Sequence, residues 1–306
     1  MPTPMLPAPL RGIVPPLVTP LLDEHTLSDE HLSKIIENMV QSDISALFAL
    51  GTTGEGPALN YQLRREVLAA TCQIVRKRIP VLAAITDTSL DESLAMGHWA
   101  EKCGADAVVV AAPYYFAVSQ NDLYRMVQVL SSQLSLPLFL YNMPSLTKAS
   151  FAPDTVLRCS QLPHVAGIKD SSGDIKYLRT VMDKVSDRKD FTVLVGPEEL
   201  LSQAMAFGVH GGVHGGANLF PRLFVRLYNA LRTKDAPLAA TLQAEVLALG
   251  KLLYHIGEKE SSYLRGLKLG MELLGLCPSF MAAPFEAAHA KDFAPLFEKL
   301  EKFARF

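Results

Sequence analysis

Cysteine is scarce in this chain: four residues in 306 (Cys72, Cys103, Cys159 and Cys277), with neither pairing nor metal-ligand spacing. That scarcity excludes a disulfide scaffold and a cysteine-built metal site, and it makes the four thiols core side chains of a reduced, cytoplasmic protein. Charge of one sign is missing as well. The 29 Lys and Arg nearly balance the 31 Asp and Glu, for a formal net charge of −2, so nothing electrostatic favours a nucleic-acid partner or an anionic membrane. Charged residues make up only 20% of the chain, which is low for a soluble domain. No unbroken run of ~18 apolar residues occurs, so no segment is expected to span a membrane. Met1 to Leu10 is proline-rich, with neither a basic n-region nor a long apolar h-region, and no secretory signal is expected there.

What is abundant is apolar sequence in short blocks. The hydrophobic fraction is 49%, ample for a sizeable core. At 306 residues the length fits one large α/β domain or two ordinary ones. Brief apolar runs near residues 13, 45, 81, 108, 138, 166, 192 and 210 alternate with helical patterns. Ser28 offers an N-cap before Leu32, Ile35, Ile36 and Met39 at helical spacing, with Asp29 and Glu30 in the first turn, where the helix dipole favours negative charge. Ser119 and Asp122 form a capping-box pattern. Eight strand–helix units over roughly 230 residues are what a (β/α)8 barrel needs, and continuously apolar strands suit a parallel sheet covered by helices. The expectation is therefore an α/β protein, a (β/α)8 TIM barrel over residues 1–232. Residues 233–306 carry further helical periodicity (Leu242, Val246, Leu249; Leu264, Leu267, Leu269; Phe293, Leu296, Phe297, Leu300) and are expected to be C-terminal helices packed on the barrel. A doubly wound open sheet is the runner-up, disfavoured because no Gly-x-Gly-x-x-Gly follows the first strand.

Catalytic groups of such barrels sit at the C-terminal ends of the strands. That rule gathers Thr52 and Thr53 after the second strand, Tyr114 and Tyr115 after the fourth, and Tyr141 after the fifth. Lys169 follows the sixth strand, Gly196 the seventh, and the loop Gly212 to Asn218 the eighth. Each also has a plain reading. The glycines of Gly51-Thr-Thr-Gly-Glu-Gly56 could merely supply positive φ to a turn, or the loop could form an N–H nest for a carboxylate or phosphate. Tyr114, Tyr115 and Tyr141 could be packing residues. His210 and His214 could suggest a metal, but no patterned carboxylate or cysteine lies near them. Asp170 and Asp174 read as turn and cap residues. Lys169 is the most informative, because an ammonium at the end of a buried strand must find a partner or lose its charge. A desolvated lysine beside a proton-carrying tyrosine is the equipment for imine formation with a 2-oxo acid.

With those residues in hand, the chain resembles the dihydrodipicolinate synthase/N-acetylneuraminate lyase family of class I pyruvate aldolases. The resemblance runs from about Gly12 to the last helices. It is carried by Gly51-Thr-Thr-Gly-Glu55, Pro113-Tyr-Tyr115, Tyr141-Asn-Met-Pro144 and Gly167-Ile-Lys-Asp-Ser-Ser-Gly-Asp174. It implies that Lys169 forms the Schiff base with pyruvate and that Tyr141 is the acid/base, relaying protons through Thr52 to Tyr115. Tyr115 would be lent by a neighbouring subunit of a homo-oligomer, a dimer or tetramer. Thr53 would help hold the pyruvyl carboxylate, and Gly196 and Val213 would line the pocket. No cofactor and no metal are implied, and the partners are small molecules only. Synthases of the family usually place an arginine shortly after the Tyr-Asn-x-Pro segment; here Leu146 stands there, with Lys148 nearby. Leucine cannot supply a bidentate guanidinium. Glu198 and Glu199 fall where the lyases place acidic residues for a polyol tail, with Pro197 altering the turn. These features favour an aldolase for a deoxy-keto sugar acid, a sialic acid or a hydroxy-oxo acid over the synthase. A silent 2-oxo-acid-binding barrel is the non-enzyme alternative.

Overall fold

Strands buried on both faces, each followed by a helix that covers one of them, organise the chain. The computed structural model describes residues 6–257, 261–288 and 294–305. The strands are β1 (Gly12–Ile13), β2 (Leu47–Ala49), β3 (Val81–Ala84), β4 (Ala107–Ala111), β5 (Leu138–Asn142), β6 (Val165–Asp170), β7 (Thr192–Val195) and β8 (Gly211–Gly212). All neighbouring pairs are parallel, in the order β1-β8-β7-β6-β5-β4-β3-β2. The sheet curls until its ends meet: Pro16 bridges Phe48 in parallel, and Phe48 N–H donates to the Pro15 carbonyl while Leu17 N–H donates to that of Phe48. The first strand is shorter than the apolar run Ile13–Val18 suggests. Pro15 and Pro16 have no N–H to donate, so the chain there only accepts and the ladder thins to scattered bonds.

The helices are α1 (Asp29–Val40), α2 (Tyr61–Val75), α3 (Leu90–Cys103), α4 (Gln120–Gln133), α5 (Pro144–Thr147), α6 (Pro153–Ser160), α7 (Ile175–Lys184), α8 (Leu201–Ala206), α9 (Pro221–Arg232), α10 (Ala236–Leu253), α11 (Ser262–Leu273) and α12 (Ala294–Glu301). The capping box of Ser119 and Asp122 is present at α4, and Asn60 caps α2 through Leu63 N–H at 2.8 Å. Ser28 occupies the N-cap position of α1 without a side-chain cap bond; its hydroxyl sits 2.7 Å from His31 Nδ1 instead. The sequence pattern gave no sign of α5, a single turn that turns the chain directly after β5.

Two apolar layers result. Inside the barrel lie Phe48, Val109, Phe139, Tyr141, Leu194 and Val213 among others. Between strands and helices runs a larger cluster that continues without a break from Ile13 to Leu300 and Phe303, so the C-terminal helices share the core of the barrel. Cys159 and Cys277 are buried in it, and Cys72 and Cys103 are half-buried. Helix α10 is long and apolar enough by composition to cross a membrane, yet Ala239, Leu242, Val246, Leu249 and Leu253 bury one face of it. Phe293 and Met1 to Met5 lie outside the described residues.

Helix α11 approaches the end of α10 very closely. A Cβ on Gly266 would stand 1.7 Å from the Leu253 carbonyl oxygen, and backbone cannot give way there. Gly266→Ala is therefore expected to destabilise the fold by about 1–3 kcal/mol, the usual cost of overpacking a core. Denaturant unfolding of the variant checks this.

Candidate active site

The register of β5 and β6 sets Tyr141 directly beside Lys169, and that of β6 and β7 sets Lys169 beside Leu194. All three side chains therefore point into the barrel. Lys169 is 7% exposed. Its Nζ lies 4.2 Å from the ring centre of Tyr141 and 5.1 Å from that of Phe48. Among the described residues it has no ion-pair partner. The next pair along points the other way. Asn142 Nδ2 donates to Asp170 Oδ1 at 2.8 Å, and Asn142 Oδ1 accepts from Ser150 and Phe151. Asp170 also takes the Ser172 N–H and hydroxyl, which fixes the two strand ends, while burial raises its carboxyl above the ordinary value. Asp174 is the N-cap of α7, accepting the N–H groups of Lys176 and Tyr177.

The loop Gly51–Gly56 lies across the barrel mouth from Lys169. Its left-handed residue is Glu55, at φ 57°, with Leu50 just before the loop at φ 61°; the glycines are not left-handed. The glycines serve close approach: a Cβ on Gly56 would stand 2.0 Å from the Leu50 carbonyl oxygen. Thr52 Oγ1 lies 3.2 Å from the Tyr141 hydroxyl, and Thr53 Oγ1 lies 3.0 Å from that of Tyr263.

A cavity of about 510 Å³ opens between this loop and the strand ends. Thr52, Thr53, Tyr141, Lys169, Gly196 and Val213 line it, as does Glu198. A neighbouring cavity of about 270 Å³ shares Thr52, Tyr141 and Leu146 with it. The C-terminal wall is built by Tyr254, Ser261, Tyr263 and Phe285, none of which the strand-end rule could find, because they come from the chain beyond the barrel.

Other candidates lie elsewhere. Tyr115 is 80% exposed, packed edge-on against Phe116 at 5.1 Å, and does not reach the cavity of its own chain. Tyr114 lines the smaller cavity. Leu146 is 53% exposed at the mouth of both. Lys148 turns its Nζ back onto the Ser145 carbonyl at 2.8 Å and is no substitute for a guanidinium. His210 Nδ1 accepts the Val193 N–H, and His214 Nδ1 faces the Gly196 carbonyl. Burial pushes both imidazoles down to about 4, so each is neutral and committed to backbone.

Pro197 starts a 3₁₀ turn that sends Glu198 inward and leaves Glu199 exposed. Glu198 Oε1 accepts the Gly216 N–H at 2.7 Å and the Tyr254 hydroxyl at 2.8 Å, while Oε2 has no partner among the described residues. Burial pushes this carboxyl up from 4.5 to about 7. The folded state therefore favours the protonated form, and the stability this contributes is complete below the ordinary carboxylate range and is lost as pH rises through about 7. Glu198→Gln keeps the side chain neutral at every pH. The variant is expected to gain on the wild type by roughly 2 to 3 kcal/mol between pH 5 and pH 8. Melting curves across that range check this; a constant difference would refute it.

Comparison with known proteins agrees with the fold. The profile of the Dihydrodipicolinate synthetase family matches residues 9–300. The structure of dihydrodipicolinate synthase from Bacteroides thetaiotaomicron superimposes with a TM-score of 0.93 at 46% identity, over 96% of this chain and 99% of that one. YagE, a prophage protein of the dihydrodipicolinic acid synthase family from Escherichia coli K12 solved in complex with pyruvate, gives 0.90 at 26% identity over 96% and 98%. The probable 2-dehydro-3-deoxy-D-pentonate aldolase YjhH of Escherichia coli K12 is 32% identical over 87% of each chain.

Proposed function

The chain belongs to the dihydrodipicolinate synthetase family, and we propose that it is a class I aldolase that joins pyruvate reversibly to an aldehyde through a Schiff base on Lys169. The observation that carries this reading is the amine itself, nearly buried, without an ion pair among the described residues, and over the ring of a tyrosine whose hydroxyl meets a threonine. An amine in such surroundings is placed to attack a carbonyl. The addition gives a carbinolamine, and loss of water gives the imine. Removal of a proton from the adjacent methyl gives an enamine, whose carbon attacks the aldehyde; hydrolysis then releases the product and the amine. Tyr141 moves the protons of these steps, with Thr52 as its neighbour in the relay. The pyruvyl carboxylate lies on Thr52 and Thr53, against Gly196 and Val213. Tyr115 completes the relay from a neighbouring subunit, a placement supported by its 80% exposure. The working unit is then a homo-oligomer.

The aldehyde end of the cavity meets Leu146 and Glu198 rather than a guanidinium. A protonated Glu198 donates one hydrogen bond to a hydroxyl or carbonyl oxygen and carries no positive charge to pair with the carboxylate of aspartate semialdehyde. The substrate class is therefore a deoxy-keto sugar acid, a sialic acid or a hydroxy-oxo acid. The second reading, 4-hydroxy-tetrahydrodipicolinate synthase acting on aspartate semialdehyde, is favoured by the 46% identity to the Bacteroides thetaiotaomicron synthase. A panel assay separates them: pyruvate release from 2-keto-3-deoxygluconate, N-acetylneuraminate or 4-hydroxy-2-oxoglutarate is expected. Turnover confined to aspartate semialdehyde would overturn the first reading in favour of the second.

A further inference from the structure

Two consecutive threonines of the Gly51–Gly56 loop each meet a tyrosine hydroxyl, but only one of those tyrosines has a place in the chemistry above. Thr52 meets Tyr141; Thr53 meets Tyr263, from the first turns of α11, 210 residues away in sequence. We propose that α11 is a strut that sets the substrate-binding loop, and that Tyr263 is a positioning residue which turns the Thr53 hydroxyl toward the substrate carboxylate.

A threonine hydroxyl has one proton to give. If Tyr263 donates to Thr53 Oγ1, the Thr53 proton is left for an acceptor in the cavity, which both residues line. Burial raises the Tyr263 phenol well above its ordinary value, so it stays protonated and able to donate. Its ring is held by that of Tyr254, 4.8 Å away between centres, and the Tyr254 hydroxyl is spent on Glu198.

A second contact pins the same loop to the same helix. Lys268, five residues along from Tyr263, pairs with Glu55 at 2.5 Å, with side chains 2% and 0% exposed. Glu55 Oε2 also accepts the Ala282 N–H at 2.8 Å, and Lys268 donates to the Phe280 carbonyl. A buried ion pair gains little stability over an apolar pair of the same volume, whereas it does fix one arrangement. Here the arrangement fixed is that of a non-glycine residue at φ 57°, a conformation that persists only where its surroundings impose it. Thr53 and Glu55 are thus both held from α11, with the carboxylate-facing hydroxyl between Lys169 and the strut.

The inference rests on pyruvate as the ligand of this site. Tyr263→Phe keeps the ring and its packing and removes one hydroxyl. Pyruvate binding, by calorimetry and by borohydride trapping at graded pyruvate, is expected to weaken about tenfold, the loss of one hydrogen bond of about 1.4 kcal/mol. At saturating pyruvate the yield of adduct stays at the wild-type value, and the melting temperature of the free protein falls by no more than the few degrees that the loss of the one Tyr263–Thr53 hydrogen bond accounts for. In a Thr53→Val background the Tyr263→Phe change is expected to cost nothing more, since the hydroxyl it orients is gone. Unchanged pyruvate affinity in Tyr263→Phe, or losses that add in the double variant, would overturn the inference. Should the wild type bind pyruvate calorimetrically without forming an adduct, the Schiff-base reading fails while the dissociation constants still decide on Tyr263. Absence of pyruvate binding by the wild type overturns both.

Discussion

Lys169→Ala is expected to abolish the adduct that borohydride traps with pyruvate and to lower turnover by about 10⁴-fold or more, as loss of a covalent nucleophile does. The fold should survive, because the amine has no ion-pair partner among the described residues and lies over the rings of Tyr141 and Phe48. Removing a buried amine without a partner relieves a desolvation cost rather than breaking a network. Intact-mass spectrometry after reduction gives the answer: a pyruvate-sized mass increase in the wild type, none in the variant, and similar melting temperatures. A trapped adduct in the variant would move the Schiff base to another lysine and end the assignment.

Tyr141→Phe should be the second-largest change, lowering kcat about 10² to 10⁴-fold, the range of a lost general acid–base group. The ring would keep its edge contact with Phe48, 6.3 Å between centres at 89°, and would still lie under the Lys169 amine. Only the hydroxyl that meets Thr52 at 3.2 Å disappears. Pyruvate should therefore still form its adduct, more slowly but to the same final extent, because the amine and the carboxylate-holding loop are intact. Stopped-flow trapping and steady-state kinetics separate rate from extent, and unchanged turnover would remove Tyr141 from the relay.

Much of this was legible in the sequence because the barrel uses simple rules. Apolar runs such as Ala107–Ala111, buried on both faces, can only be interior parallel strands, and each must be followed by a covering helix. Once the strands are numbered, Tyr141 and Lys169 fall at matching heights on adjacent strands, and the register confirms it. Sequence could not show which way a loop side chain turns. Leu146 and Lys148 both follow β5, yet one faces the cavity and the other its own backbone. Nor could spacing find Tyr254 and Tyr263, since helical periodicity marks only what packs, and these two close the site with polar tips from beyond the barrel. Proline hid the extent of β1, because the apolar run continues where the ladder does not.

The distance along the chain between the loop and its strut has a consequence for timing. A ribosome releases Thr53 long before the tyrosine whose hydroxyl it meets. Thr53 waits for Tyr263, 210 residues on, and Glu55 for the Ala282 N–H, 227 residues on. At the usual pace of synthesis, 5–20 residues per second, that gap lasts on the order of ten seconds or more. A nascent or prematurely ended chain can carry Lys169 and Tyr141 on their strands while the loop opposite them lacks the contacts that Thr53 and Glu55 make with Tyr263 and Ala282. The finished pocket therefore joins residues far apart in the chain, and the loop facing Lys169 is complete only when α11 and Ala282 have arrived.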